Sequence, residues 1–86
     1  MAKYKIVFKR SVYKDLRPIP KTDLKRIFEP IDTLAAEPRG PGCEKLSGQE
    51  RYRVRQGIYR IVYEIVDNRL IVTVVKIAHR GRVYDR

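Results

Sequence analysis

The sequence predicts an α+β fold in which two N-terminal helices pack on one face of a small antiparallel sheet, in the order β-α-α-β-β-β. Three observations indicate this fold. The first ten residues alternate lysines with apolar side chains, the next segment carries apolar residues at helical spacing, and residues 51–84 contain three more strand-like stretches separated by turn residues. We interpret residues 1–86 as a single domain, because a chain of this length has room for one hydrophobic core and shows no internal repeat.

The first half of the chain has recognisable element boundaries. The alternation of polar and apolar residues over positions 3–9 predicts the first strand. Ser11 can cap a short helix that two prolines close, and a second helix carries one apolar stripe from Leu24 to Leu34. Residues 37–43 contain two prolines and two glycines, so they predict a loop that ends the helical half.

The last two strands are predicted to join at Asp67–Asn68, a favourable two-residue hairpin turn because both residues tolerate positive φ. This turn pairs Tyr63 with Val72 and gives the sheet a nearly continuous apolar face against the helices. The tyrosines of these strands are therefore predicted to be core residues and not a base-stacking surface.

The preceding hairpin is predicted to turn at Gln56–Gly57, which sets Arg53 directly opposite Arg60. Arg53, Arg55 and Arg60 then share the face that the helices leave open. Like charges opposite each other destabilise a sheet, and a guanidinium can hold two oxygens of a phosphate. We therefore interpret this face as an anion site.

The composition limits the partners. A formal net charge of +10 and a pI near 10.1 indicate an acidic partner, either a nucleic acid or an acidic protein. No membrane partner is expected, because the chain has neither a long apolar run nor a basic amphipathic helix. Cys43 cannot form an internal disulfide and no signal-peptide pattern is present, so we expect a cytoplasmic protein. One histidine and one cysteine predict no metal site.

Three stretches of the second half form a combined pattern. They are Lys45-Leu-Ser-Gly, Tyr52-Arg-Val-Arg-x-Gly-x-Tyr-Arg-Ile-Val-Tyr-Glu-Ile, and Val74-Val-Lys-Ile-Ala-His-Arg followed by Val83-Tyr84. This pattern resembles the RelE/ParE superfamily of type II toxins, in its RelE-like mRNA interferase branch, and the similarity covers essentially the whole chain.

The resemblance implies a toxin that enters the ribosomal A site, cleaves mRNA there by attack of a 2′-hydroxyl on the adjacent phosphate, and so inhibits translation. It implies a cognate antitoxin protein, the ribosome and mRNA as partners, and no small-molecule cofactor. The ParE branch shares the fold and poisons DNA gyrase without catalysis, which is the alternative function.

The resemblance also implies roles for single residues. Arg53 and Arg55 match two basic residues that grip the mRNA backbone, and Arg60 matches an arginine that stabilises the reacting phosphate. Arg80 matches a second catalytic arginine, and Tyr84 matches a C-terminal tyrosine that acts as general base or stacking group. Two neighbouring basic residues complete the predicted RNA-binding set: Arg51 and Arg82.

The sequence departs from the best-studied RelE toxin in three respects. Arginines stand at positions 53 and 55 where that toxin has lysines, the spacing from Arg80 to Tyr84 is shorter, and His79 replaces another basic residue. His79 is a second candidate for proton transfer, because an ordinary histidine pKa of about 6.5 suits that task without further help.

Overall fold

The computed structural model describes residues 3–46, 48 and 51–79. It confirms the predicted α+β class, with two helices against one face of a sheet. The elements are β1 (Lys5–Phe8), α1 (Val12–Leu16), α2 (Lys21–Ala36), β2 (Cys43–Lys45), β3 (Arg51–Gln56), β4 (Tyr59–Val66) and β5 (Ile71–His79), with a short 3-10 turn at Asp67–Arg69.

The sheet has five strands in the order β1-β5-β4-β3-β2. The strands β2 to β5 form antiparallel pairs, whereas β1 lies parallel to β5 at one edge. The sheet therefore contains one parallel pair beside the predicted antiparallel strands, and β2 begins at Cys43, in the segment expected to be a loop. Residue alternation reports which side chains share a face but not the direction of the neighbouring strand, so it could not predict the parallel pair.

The hairpin between β4 and β5 has a longer turn than the sequence predicted. Tyr63 lies opposite Val74, so the predicted pairing of Tyr63 with Val72 is wrong. The chain reverses over residues 67–70, and Leu70 takes a left-handed conformation with φ of 54°. This shift of two residues leaves the faces of the sheet unchanged, because side chains alternate with a period of two.

A β-bulge interrupts the same pair of strands. Tyr63 lies opposite Val74 while its neighbour Val62 lies opposite Lys76, so β5 contains one extra residue at this point. A single inserted residue reverses the faces beyond it. As a result Ile77 lies on the helix side of the sheet, where it is 4% exposed, and Lys76 lies on the open side.

The hairpin between β3 and β4 turns at Gly57 and Ile58, with Gly57 at φ of 60° as a primed turn requires. The predicted pairing of Arg53 with Arg60 is wrong, because Arg55 lies opposite Arg60 and Arg53 lies opposite Val62. This shift also spans two residues, so the three arginines remain on one face, as predicted.

The core lies between the two helices and one face of the sheet. The apolar stripe of α2 packs on the sheet strands, and α1 adds Val12. Burying side chains of this size contributes roughly 1.5–3 kcal/mol each. The largest fully buried side chains are Val12, Ile27, Ile31, Leu34, Ile61, Tyr63, Val72 and Val74.

Polar contacts join the sheet to other parts of the chain at both ends of β5. Beyond the end of β1, the Ile77 amide donates to Asp15 of α1 at 3.1 Å. At the opposite end, Arg39 donates to both carboxylate oxygens of Asp67 at 3.0 and 2.8 Å, and Tyr4 donates to the same carboxylate at 2.8 Å. The first contact fixes α1 to the sheet, and the second joins Tyr4 and the loop after α2 to the turn before β5.

Candidate nucleic-acid interface

The open face of the sheet carries most of the charged residues of the strands. We call it the arginine face. Cross-strand pairing places on it Arg51, Arg53 and Arg55 of β3, Arg60 and Glu64 of β4, Glu44 of β2 and Lys76 of β5.

Arg55 and Arg60 form a directly opposed pair of like charges next to the Gly57–Ile58 turn. Neither side chain makes a hydrogen bond or an ion pair with another residue in the part of the chain that the structure describes. Arg55 is exposed and Arg60 is half-buried. Two guanidinium groups held side by side favour an anion such as a phosphate, whose oxygens each can bind in a bidentate manner.

Arg53 and Arg51 differ from that pair because each already binds a carboxylate. Arg53 Nη2 donates to Glu44 Oε1 at 2.6 Å, and Arg51 Nε donates to Glu64 Oε2 at 2.9 Å. The Arg53 hydrogen bond and charge lower the pKa of Glu44 below its ordinary value, so this carboxylate is ionised at neutral pH.

These ion pairs give the arginine face a gradient of charge along the strands. At the end near the Gly57–Ile58 turn, Arg55 and Arg60 form no ion pair with a described carboxylate, although the charge of Glu44 also acts on Arg55. Two residues before Arg55 in β3, the charge of Arg53 is balanced by Glu44. Two residues before Arg53, the charge of Arg51 is balanced by Glu64. The strongest anion site is therefore expected at the turn end of the face.

His79 lies apart from Arg55 and Arg60, although it is, like Arg60, a candidate catalytic residue. The bulge in β5 places it opposite Tyr59, and the two rings meet edge to face with centroids 5.3 Å apart. Tyr59 is buried on the helix side and its hydroxyl donates to Asp23 at 2.9 Å. His79 therefore lies on the face opposite to Arg60, and its proposed part in proton transfer stays a prediction.

A pocket of about 650 Å³ lies beside His79, between the connection of the two helices and the end of β5. Its lining includes Asp15, Ile19, Asp23, Tyr59 and His79.

Three of the predicted site residues lie outside the described residues: Arg80, Arg82 and Tyr84. Their placement and their roles stay predictions. The chain enters this segment directly from His79, whose partner Tyr59 is the neighbour of Arg60 in β4.

Sequence reasoning missed the two carboxylates that face the arginines. Glu44 directly follows the loop predicted for residues 37–43, and three residues of β2 are too few to show the alternation that indicates a strand. Glu64 was predicted to lie opposite Ile71, whereas the structure places it between Arg51 and Thr73. The correct strand register would have identified the contact between Glu64 and Arg51.

The described residues offer neither a cluster of metal ligands nor a membrane-spanning helix. Residues 3–46, 48 and 51–79 contain no group of three or more histidine, cysteine, aspartate or glutamate residues placed to hold a metal ion. Over the same residues, neither helix has the length and apolar character needed to cross a bilayer.

Comparison with known proteins gives the family. Residues 6–84 match the family described as ParE toxin of type II toxin-antitoxin system, parDE. The toxin named RelE1 of Methanocaldococcus jannaschii is 31% identical over 86 residues, covering 95% of this chain and 96% of that protein. Toxin RelG of Mycobacterium tuberculosis is 29% identical over 87 residues, covering 96% and 98%.

Solved structures agree with the sequence comparison. The archaeal RelE-RelB complex from Pyrococcus horikoshii contains a chain with a TM-score of 0.80 and 31% identity, covering 95% of this chain and 99% of that one. The toxin-antitoxin complex RelBE2 from Mycobacterium tuberculosis gives a TM-score of 0.83 at 26% identity, covering 94% and 95%. The chain therefore belongs to the RelE/ParE superfamily of toxins of type II toxin-antitoxin systems.

Proposed function

We propose that this toxin is a ribosome-dependent endoribonuclease that cleaves mRNA in the ribosomal A site. The observation that carries the proposal is the opposed pair Arg55 and Arg60 on an open sheet face, which forms no ion pair among the described residues. The names of the relatives RelE1 and RelG support the same branch of the superfamily.

The proposed reaction is an intramolecular transesterification within the RNA. The 2′-oxygen loses its proton and attacks the adjacent phosphorus, and the bond from phosphorus to the 5′-oxygen breaks as that oxygen gains a proton. This chemistry needs a proton acceptor, cations for the charge on the phosphorane, and a proton donor. Arginines supply the cations, since the guanidinium stays protonated and binds two oxygens at once.

In this proposal Arg60 and Arg55 hold the reacting phosphate at the turn end of the arginine face. Arg53 contacts the neighbouring backbone, and Arg51 and Arg82 extend the RNA-binding surface. Arg80 is the second catalytic arginine. The proton-transfer role belongs to Tyr84 or His79, and His79 lies on the face of the sheet opposite to Arg60.

The proposed partners are mRNA on the ribosome and a cognate antitoxin. Relatives of this chain have been solved as a RelE-RelB complex and as a toxin-antitoxin complex. A net charge of +10 favours an acidic or amphipathic antitoxin. Little cleavage of free RNA is expected, because the ribosome must position a substrate for which the protein offers weak acids and bases.

The test is primer extension on an mRNA programmed into purified ribosomes, with the same mRNA without ribosomes as the control. The proposal predicts discrete cuts at the A-site codon only when ribosomes are present. If the folded toxin cuts the mRNA in neither reaction, the proposal is contradicted.

A second function is favoured by the match to the family described as ParE toxin. In this alternative the chain inhibits DNA gyrase by binding and performs no catalysis. A supercoiling assay with purified gyrase separates the two functions: inhibition of gyrase together with intact mRNA on ribosomes would favour the alternative.

A further inference from the structure

We propose that Glu44 is a specificity-determining residue: it forms an ion pair with Arg53 in the free toxin and is displaced only by an RNA phosphate that the ribosome holds in position. This inference rests on the proposed function. It assigns to an acidic residue of the edge strand β2 the task of discriminating against RNA that is free in solution.

The geometry of the pair supports this assignment. The bond between Arg53 Nη2 and Glu44 Oε1 measures 2.6 Å, which is short for a charge-assisted hydrogen bond. The Arg53 side chain is 25% exposed, whereas that of Glu44 is 63% exposed. The partner that can leave by a simple rotation into solvent is therefore the glutamate, and Arg53 stays on the sheet.

The environment of Arg53 limits how else it could bind an anion. Its Nε is buried and has no hydrogen-bond partner among the described residues. The side chain thus presents only its terminal nitrogens, and Glu44 takes one of them. A phosphate must displace the Glu44 carboxylate to bind Arg53 through both terminal nitrogens.

The position of the pair makes this displacement relevant to RNA. Arg53 and Arg55 are two residues apart on β3 and lie on the same face, so a backbone that crosses the Arg55–Arg60 pair can reach Arg53 with a neighbouring phosphate. Free RNA must lose conformational freedom to do so as well as break the ion pair. RNA fixed in the ribosome has already lost that freedom, so it can displace Glu44 at a smaller cost.

The experiment measures the binding of a fluorescein-labelled single-stranded oligouridylate to the purified toxin by anisotropy, as a function of salt. Glu44→Gln keeps the size of the side chain and removes its charge. Glu29→Gln is the matched control, because Glu29 is an exposed glutamate on α2, on the helix side of the sheet. Both variants gain one unit of net charge.

We expect Glu44→Gln to bind the oligouridylate about fivefold more tightly at about 0.1 M salt. The plot of the logarithm of the binding constant against the logarithm of the salt concentration should become steeper by about 0.7, the slope of one added phosphate contact on a single strand. Glu29→Gln is expected to gain less than twofold. In an Arg53→Gln background, the Glu44→Gln change should lose most of its gain, because the arginine that Glu44 binds directly is absent and only the effect of its charge on Arg55 is left.

Two results would overturn the inference. Equal gains in Glu44→Gln and Glu29→Gln would show an effect of net charge alone, and a gain that persists in full in the Arg53→Gln background would show that Glu44 does not act through Arg53. Either result leaves ribosome-dependent cleavage by the wild-type toxin untouched, so failure of this inference is distinct from failure of the proposed function.

Discussion

Neutralising Arg60 should make the protein more stable, since the structure sets this residue against a like charge. Arg55 and Arg60 are direct cross-strand partners, and no carboxylate is hydrogen-bonded to either among the described residues. Substitution by glutamine keeps a polar side chain on the open face and removes the repulsion. We expect Arg60→Gln to raise the free energy of unfolding.

The magnitude follows from the geometry of the pair. Like charges directly opposite each other on adjacent antiparallel strands destabilise a sheet, and we expect a gain of the size typical of a single cross-strand pair, roughly 0.2–1 kcal/mol. For a domain of this size, that gain raises the melting temperature by about 1–8 °C. The repulsion is screened when the Debye length falls from about 10 Å at 0.1 M salt to about 3 Å at 1 M, so the gain should shrink at high salt.

The assay is thermal unfolding followed by circular dichroism at both salt concentrations. Arg69→Gln is the control, because Arg69 is exposed in the turn before β5 and has no opposing residue in the sheet. It loses the same charge and should shift the melting temperature much less at low salt. The reasoning is refuted if Arg60→Gln lowers the melting temperature, or if the two variants gain equally.

Two further predictions concern contacts on the helix side of the sheet. Tyr63 is fully buried and its hydroxyl donates to the Pro38 carbonyl at 2.6 Å. Tyr63→Phe leaves that carbonyl without its donor and should lower the free energy of unfolding, measured by urea denaturation, by about 1–3 kcal/mol. The control Tyr13→Phe, at a residue that is 57% exposed, should change it by less than about 0.5 kcal/mol, and equal effects of the two variants would contradict this prediction. Hydrogen bonds from Arg39 and Tyr4 lower the pKa of Asp67 below its ordinary value, so this carboxylate contributes stability at pH values above the unfolded-state pKa and loses it as the pH falls through the lower folded-state pKa. Asp67→Asn should therefore flatten the decline of the melting temperature below about pH 4, and an unchanged decline would exclude this contribution.

The sequence was sufficient to predict the fold class and the faces of the sheet. Tyr52, Val54, Tyr59 and Ile61 alternate with arginines, and a shift of two residues in either hairpin preserves that alternation. This is why Arg53, Arg55 and Arg60 share a face in the structure even though their cross-strand partners differ from those predicted.

The sequence was not sufficient to predict the register and the bulge. Both depend on the conformation of single residues, such as Leu70 at φ of 54°, which a residue of this type rarely adopts. The extra residue in β5 then moved His79 to the helix side of the sheet, which no pattern of hydrophobicity around it indicated. The ion pair of Glu64 depends on the same register, whereas that of Glu44 depends on β2, which is too short to show alternation.

The most direct test of the central claim is primer extension on programmed ribosomes with wild-type toxin and Arg60→Gln side by side, after both have been shown to be folded. If Arg60 stabilises the charge on the reacting phosphate, its loss should reduce A-site cleavage by about 10²-fold or more, as removal of a transition-state donor does. Cleavage by Arg60→Gln at the wild-type rate would contradict the claim that the Arg55–Arg60 pair holds the reacting phosphate.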